Sequence, residues 1–334
     1  MIRSARWFVL YSSLFLMLFS AFGGLALAAD SDYKTWLEGL RKEALAAGIS
    51  ATTLDQALNS AQLIPRVIEL DRKQPEFTLS FAQYLERVVP QSRKQRAQAR
   101  LATHRQLLDE VAAKYGVQAR FIVALWGIET DFGRVTGGFP VISSLVSLAY
   151  DGRRSTFFRK ELLDALVILD EGHIKPDAMM GSWAGAMGQS QFMPSSFRRY
   201  AVDYNGDGRR DIWTTQQDVF ASAANYLKSV GWRDDITWGR AVQLPKSLGP
   251  AERQRLHDDK TRKTLPEWAR LGVLRDDGTA LPTRPLEARL VIPDGADGPA
   301  YLVYANFEAI LRWNRSNYFA IAVGTLADSM IKAK

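Results

Sequence analysis

Apolar residues recur at helical spacing over much of the chain. In "DYKTWLEGLRKEALAAGIS" (32–50), Trp36, Leu37, Leu40, Ala44 and Leu45 share one face, and Gly48 predicts the stop. "QRAQARLATHRQLLDEVAAKYG" (95–116) repeats the pattern and stops at Gly116. "QARFIVALWGIETDFGR" (118–134) sets Ile122, Leu125, Trp126 and Glu129 on one side. Between 240 and 304 the pattern changes. Pro245, Pro250, Pro266, Pro282, Pro285, Pro293 and Pro299 separate short apolar runs such as "ARLVIP" and "AYLVYAN", which predicts a small module with short strands. "FEAILRWNRSNYFAIAVGTLADSMIKA" returns to helical spacing. The expected fold class is therefore mainly α (α+β). A helical region covers 29–116, a core 117–239, a strand-containing insert 240–304 and a C-terminal helical segment 305–334.

The first residues follow a different rule. Arg3 and Arg6 precede an apolar run that ends at Ala26-Leu27-Ala28, the pattern of a secretory signal peptide over 1–28. The alternative is an uncleaved anchor, since Trp7–Ala28 is long enough to span a bilayer. Cleavage would leave a chain starting at Ala29, soluble in the periplasm. The chain has no cysteine, which excludes disulfides, Cys-ligated metals and a thioether-linked lipid. Loss of Arg3 and Arg6 lowers the formal net charge from +7 to +5, a mild basic excess suited to an anionic polymer. No basic-aromatic cluster points to nucleic acid. Composition is ordinary for a globular protein, at 47% hydrophobic and 24% charged.

Three stretches carry candidate chemistry. Glu129 closes an apolar stripe beside a glycine-bearing turn; burial there raises a carboxyl's pKa and keeps it protonated, as a general acid requires. The bland alternative is a helix-end Glu paired with Arg134. "DYNGDGRRDIW" places Asp203, Asn205 and Asp207 at positions 1, 3 and 5 of a calcium loop, with the Arg209 carbonyl at 7. Thr214 stands where a bidentate Glu belongs, and Asp218 lies four residues on. The same run also reads as paired Asn-Gly and Asp-Gly turns with solvated acids. "GSWAGAMGQSQFMPSSF" (181–197) is uncharged, small-residued and interrupted by aromatics.

Taken in order, "ALWGIETDFGR", "GSWAGAMGQSQFMPSSFRRYAVDYNGDGRRDIW" and "SAANYLKSVGW" resemble the membrane-bound lytic murein transglycosylase B family, glycoside hydrolase family 103, from about residue 33 to about 330. The resemblance implies a lysozyme-like catalytic domain and peptidoglycan as substrate. It makes Glu129 the single catalytic residue. The 181–197 run becomes a glycan groove, with Ser182, Met187, Gln191 and Phe192 offering hydrogen bonds and apolar surface. Tyr226, Trp313, Asn314 and Ser316 join them, the last three from the C-terminal helical segment. Asp203, Asn205, Asp207, Arg209 and Asp218 match an EF-hand-like loop for a structural Ca²⁺, and no catalytic cofactor is expected. Three departures stand out. The loop is one residue longer before Asp218, Phe319 occupies a common Tyr position and leaves any hydroxyl role to Tyr318, and Trp313 replaces a common Tyr.

The implied reaction cleaves the MurNAc–GlcNAc β-1,4 bond without water. Glu129 protonates the glycosidic oxygen, the 2-acetamido group supports the oxocarbenium-like centre, and ionised Glu129 deprotonates the C6 hydroxyl, which closes a 1,6-anhydro ring. The rivals are a muramidase using water and a second carboxylate such as Asp131, and a non-catalytic wall-binding protein. Wall-synthesis proteins are the partners expected besides glycan, and a monomer is the expected state.

Overall fold

Glycines and short polar side chains end the helices where the pattern predicts. The computed structural model describes residues 19–73, 79–257 and 260–331. Helix α1 (Phe19–Ala46) stops just before Gly48, whose φ of 92° only glycine adopts readily. Then α2 (Ala51–Leu58) is capped by the Ser50 hydroxyl, which accepts from Thr53 N at 3.2 Å. Helix α3 is Pro65–Arg72 and α4 is Phe81–Val88, the latter opened by a Ser80/Gln83 capping box. The single helix expected over 95–116 is two: α5 (Gln91–Thr103) and α6 (Arg105–Tyr115) break at His104. The His104 ring explains the break, since it packs edge-on between Trp126 and Phe220, at 5.6 and 5.3 Å.

Helix α7 (Ala119–Thr130) is buried on nearly every side from Phe121 to Gly127. Its large apolar side chains, such as Phe121, Ile122 and Leu125, each contribute about 1.5–3 kcal/mol by leaving water, which makes α7 the rod on which the fold is built. A two-residue strand β1 (Phe139–Pro140), the buried helix α8 (Val141–Asp151) and α9 (Ser155–Asp170) follow. Strand β2 (Met180–Gly181) pairs antiparallel with β1. After α10 (Pro194–Tyr200) and α11 (Gln216–Ser229) the chain enters the insert.

The insert is an antiparallel sheet with its own core. Its elements are β3 (Gly239–Gln243), α12 (Pro250–Leu256), β4 (Lys263–Thr264), α13 (Leu265–Arg270), β5 (Leu274–Arg275), β6 (Glu287–Val291) and β7 (Ala300–Val303). The strand order is β4-β6-β7-β3-β5. Trp268, Val273, Leu290 and Leu302 are fully buried in this second core, and the Trp268 indole N–H donates to Ala288 O at 3.1 Å. Finally α14 (Ala305–Trp313) and α15 (Asn317–Asp328) return to the main body, α15 lying against α7. Gly324 of α15 permits that return, because a Cβ there would sit 2.2 Å from the Trp238 ring.

Residues 1–18 of the expected signal segment lie outside the described residues. No helix among the described residues is long and apolar enough to cross a membrane.

Candidate active site

Glu129 is the penultimate residue of α7, and the backbone turns sharply just beyond it. Asp131, Phe132 and Gly133 are consecutive left-handed residues, at φ 50°, 62° and 79°. That conformation costs about 1–2 kcal/mol for each non-glycine residue. Two anchors offset it. The Phe132 ring is buried against Trp126, edge-on at 5.5 Å, in space that Gly127 leaves open: a Cβ on Gly127 would meet that ring at 2.7 Å. Asp131 is held by Arg96 (2.8 Å), Arg134 (3.0 Å) and Arg93 (3.4 Å). Arg134 thus pairs with Asp131, and Glu129 is left to other contacts.

Glu129 is half-buried, and its Oε1 accepts the Trp313 indole N–H at 2.8 Å. Burial pushes its pKa up to about 7, with the Trp313 hydrogen bond pulling the other way. A carboxyl with that pKa gives and takes a proton near neutrality. Asp131 behaves oppositely. Burial pushes it up, but the hydrogen bonds and charges of Arg96 and Arg93 outweigh burial and hold it below the usual value. It is an ion-pair carboxylate.

The groove run forms a compact hairpin. Its bridges join Gly181 to Met187 and Met187 to Phe192. Ser182 closes the tip: its N–H donates to Ala186 O at 2.8 Å and its hydroxyl accepts from Ala186 N at 3.0 Å. Met187 is fully buried. Gln191 adopts φ 48°, and its side-chain amide donates to Thr136 O and Gly188 O, both at 3.0 Å. Phe192 stands 5.2 Å from Trp313 and 5.8 Å from Tyr226. Tyr226 lies 4.7 Å from Trp313, and its hydroxyl donates to Arg312 O at 2.7 Å. Burial pushes its pKa up to about 12, so it stays a neutral donor. The structure therefore brings Glu129, Trp313, Phe192 and Tyr226 together. Ser316 caps α15 by accepting from Phe319 N at 3.3 Å, and Asn314 is exposed at the end of α14.

Two residues at the site escaped the sequence reading. Gln189 is a buried hub: its Oε1 accepts from Trp126 Nε1 at 2.8 Å and Gln216 Nε2 at 3.1 Å, and its amide donates to Trp213 O at 2.8 Å. It ties α7 to the hairpin. Tyr84 of α4 faces Glu129; burial raises its pKa, and the Glu129 charge raises it further. It packs 5.4 Å from Tyr318, whose hydroxyl donates to Asp294 at 2.7 Å. No motif links Tyr84 to the hairpin, so only the fold reveals it.

The acidic loop folds back on its own amides. Asp203 accepts from Gly206 N (2.7 Å), Asp207 N (3.2 Å) and Gly208 N (2.8 Å), and Asp207 accepts from Arg209 N (2.9 Å). Asn205 Oδ1 accepts from Asp207 N at 3.2 Å. Asp218 is fully buried and accepts from Tyr204 N (2.8 Å) and Asp211 N (2.7 Å). Burial foremost, with the nearby Asp203 charge, raises its pKa against those hydrogen bonds. Among the described residues no group of three or more acids and histidines gathers to hold a metal. The loop's exit backs the hairpin: Gln189 N donates to Ile212 O at 2.8 Å. Helix α10 is held separately by buried Glu161, which accepts from Ser195 N (2.9 Å) and its hydroxyl (2.7 Å).

A family model described as "Transglycosylase SLT domain" matches residues 32–328. Membrane-bound lytic murein transglycosylase B of Escherichia coli K12 is 34% identical over 231 residues, which are 66% of this chain and 59% of that relative, so less than two thirds of its length is matched. SltB3 of Pseudomonas aeruginosa, solved with NAG-anhNAM-pentapeptide, superposes with a TM-score of 0.85 at 46% identity, covering 89% of this chain and 79% of that one. The E. coli lytic transglycosylase Slt35, solved with calcium, gives 0.73 at 27% identity, covering 89% and 92%.

Proposed function

The chain belongs to the transglycosylase SLT domain family, and from that premise we propose that it is a lytic transglycosylase cleaving the MurNAc–GlcNAc β-1,4 bond of peptidoglycan to leave 1,6-anhydro-MurNAc ends. The observation that carries this reading is the Glu129 carboxyl. It is half-buried at a helix end, its pKa is pushed up to about 7, and the neighbouring Asp131 is committed to arginines. One carboxyl then acts twice. Protonated Glu129 gives its proton to the glycosidic oxygen, and the substrate's acetamido group supports the positive centre. Ionised Glu129 takes the C6 hydroxyl proton as that oxygen attacks C1. The attack is intramolecular, so proximity replaces a bound water. Trp313 orients the carboxyl and stabilises its anionic form between the two transfers. Trp313, backed by buried Phe192 and Tyr226, supplies apolar surface for a sugar face, Ser182 offers a hydroxyl, and Tyr84 lies near Glu129.

In this reading substrate meets the enzyme outside the cytoplasm, which fits the Arg3/Arg6 signal pattern. The Asp203 loop has a hard-oxygen donor set in Asp203, Asn205, Asp207, the Arg209 carbonyl and Asp218, with buried Asp218 beside the Asp203 charge. That set suits Ca²⁺ as a structural ion, and no chemical step involves it.

Mass spectrometry of products from purified sacculi tests the reaction. Anhydro ends, lighter than reducing ends by one water, are expected from the parent. Glu129→Gln should release less than a hundredth of the parental product. Reducing ends from the parent would make it a muramidase, and release by Glu129→Gln at a tenth or more of the parental rate would remove Glu129 as the acid and base.

A further inference from the structure

The loop between β6 and β7 carries Asp294 out of the insert and onto the main body. Its carboxylate accepts the Phe81 N–H through both oxygens, at 2.8 and 3.0 Å, and the Tyr318 hydroxyl at 2.7 Å. Phe81 is the first residue of α4. The capping box already satisfies the N–H groups of Ser80 and Gln83, and Asp294 takes one that lies between them. A carboxylate at a helix start is also favoured by the helix dipole. The Tyr318 ring packs against Phe81 and Tyr84, at 5.1 and 5.4 Å. The other end of α4 is fastened too. Arg93 donates to the carbonyl of Val88, the last residue of α4, and pairs with Asp131 at 3.4 Å. Helix α4, about 12 Å long, is thus held by a carboxylate from the insert and by a guanidinium that also holds the turn after Glu129. Between the two clamps Tyr84 lies near Glu129.

A helix of this length is not stable by itself, so its position depends on what grips it. We propose that Asp294 is a positioning residue for the proposed reaction: by gripping the start of α4 and the Tyr318 hydroxyl it seats Tyr84 beside Glu129, which makes the insert part of the active-site frame. Asp294 acts through α4 and Tyr318. The inference rests on the transglycosylase reading and adds a residue to it from outside the motif-bearing core. Its consequence for the acid has a definite sign. The groups around Glu129 are Tyr84 from α4, the Trp313 indole from α14, and Asp131 with Arg93, Arg96 and Arg134 beyond the turn. Burial is the larger influence on Glu129, and the Trp313 hydrogen bond the smaller. A loosened α4 admits water to the carboxyl, and the proton is then held less tightly.

The test follows release of anhydro-ended product from a peptidoglycan tetrasaccharide as a function of pH, at a temperature where circular dichroism shows the variants folded. Asp294→Ala should lower kcat about tenfold and move the alkaline limb of the profile to lower pH. Asp294→Asn keeps an oxygen for both donors, so its kcat should stay within about threefold of the parent with the limb in place. Tyr318→Phe removes one of the two grips and should shift the limb the same way, by less. Asp297→Ala is the control from the same loop; its carboxylate faces Arg253 at 3.8 Å, and the variant should match the parent. A rate loss in Asp294→Ala with an unmoved limb would reduce the contact to a structural one and overturn the inference. So would an Asp294→Asn protein as impaired as Asp294→Ala, or an Asp294→Ala protein as active as the parent. If Asp294→Ala does not fold, Tyr318→Phe decides, and an unmoved limb there overturns the inference. All these outcomes leave the parent's anhydro product in place. A parent that releases none overturns the transglycosylase reading and this inference with it.

Discussion

Glu129 is the residue whose environment makes the sharpest demands. Its carboxyl is raised from 4.5 to about 7 in the folded chain. The fold therefore holds a proton between those values that the unfolded chain has released. Stability falls as pH rises through that window, and the cost is complete above about pH 7. Glu129→Gln removes the cost, so this variant should be more stable than the parent at pH 8 by about 1–3 kcal/mol. The two should converge below pH 4, which denaturant titrations at both pH values check. Trp313→Phe keeps the aromatic wall and deletes the N–H that lowers the Glu129 pKa. The alkaline limb of its rate profile should then move to higher pH than in the parent. An unmoved limb would mean that the indole contributes packing alone. The stripe ending in Glu129 was legible because desolvation follows from apolar spacing. The family resemblance put Trp313 at the groove, but its hydrogen bond to Glu129 was not legible, since the indole arrives from 184 residues away.

At the scale of elements, the end of α7 and the hairpin behave as one unit. Gly127 sits in a tight space, with Phe132 ring atoms at 2.7 Å and Leu326 at 3.2 Å from a would-be Cβ. Gly127→Ala should cost about 1–3 kcal/mol through overpacking, read as a lowered denaturant midpoint, and should reduce activity by displacing the left-handed turn after Glu129. Gln189→Leu leaves the buried Trp126 N–H without its acceptor and should destabilise by about 1–3 kcal/mol. The helices themselves were readable from spacing and glycine stops, at Gly48 and Gly116 alike. The break at His104 was not, because the rings that receive His104 lie on α7 and α11. Residue type announced the hairpin as unusual, but its internal hydrogen bonds came only with the fold. The Gln191 amide could have faced a sugar; it faces Thr136 and Gly188.

Across the whole molecule, a mainly helical, lysozyme-like architecture with small sheets matches the class expected from the pattern and the family resemblance. The acidic loop offers a molecule-wide prediction. Ca²⁺ bound there would stabilise the fold by mass action, with affinity near the 10⁻⁴–10⁻³ M of extracellular modules. Millimolar Ca²⁺ should raise the parent's melting temperature relative to chelator and leave Asp207→Ala unchanged. Equal melts in both buffers would reduce the loop to its observed turns.

The hydrogen bond from Trp313 to Glu129 also fixes when the proposed acid gains its partner. Synthesis delivers α7 well before α14. Until α14 has emerged, Glu129 lacks its indole donor and the ring of Trp313 beside it. A nascent chain that has not reached α14 therefore carries the proposed acid without the hydrogen bond that holds it. Any truncation before Trp313, whether by a premature stop codon or a protease, leaves the motif-bearing core present and its carboxyl unheld.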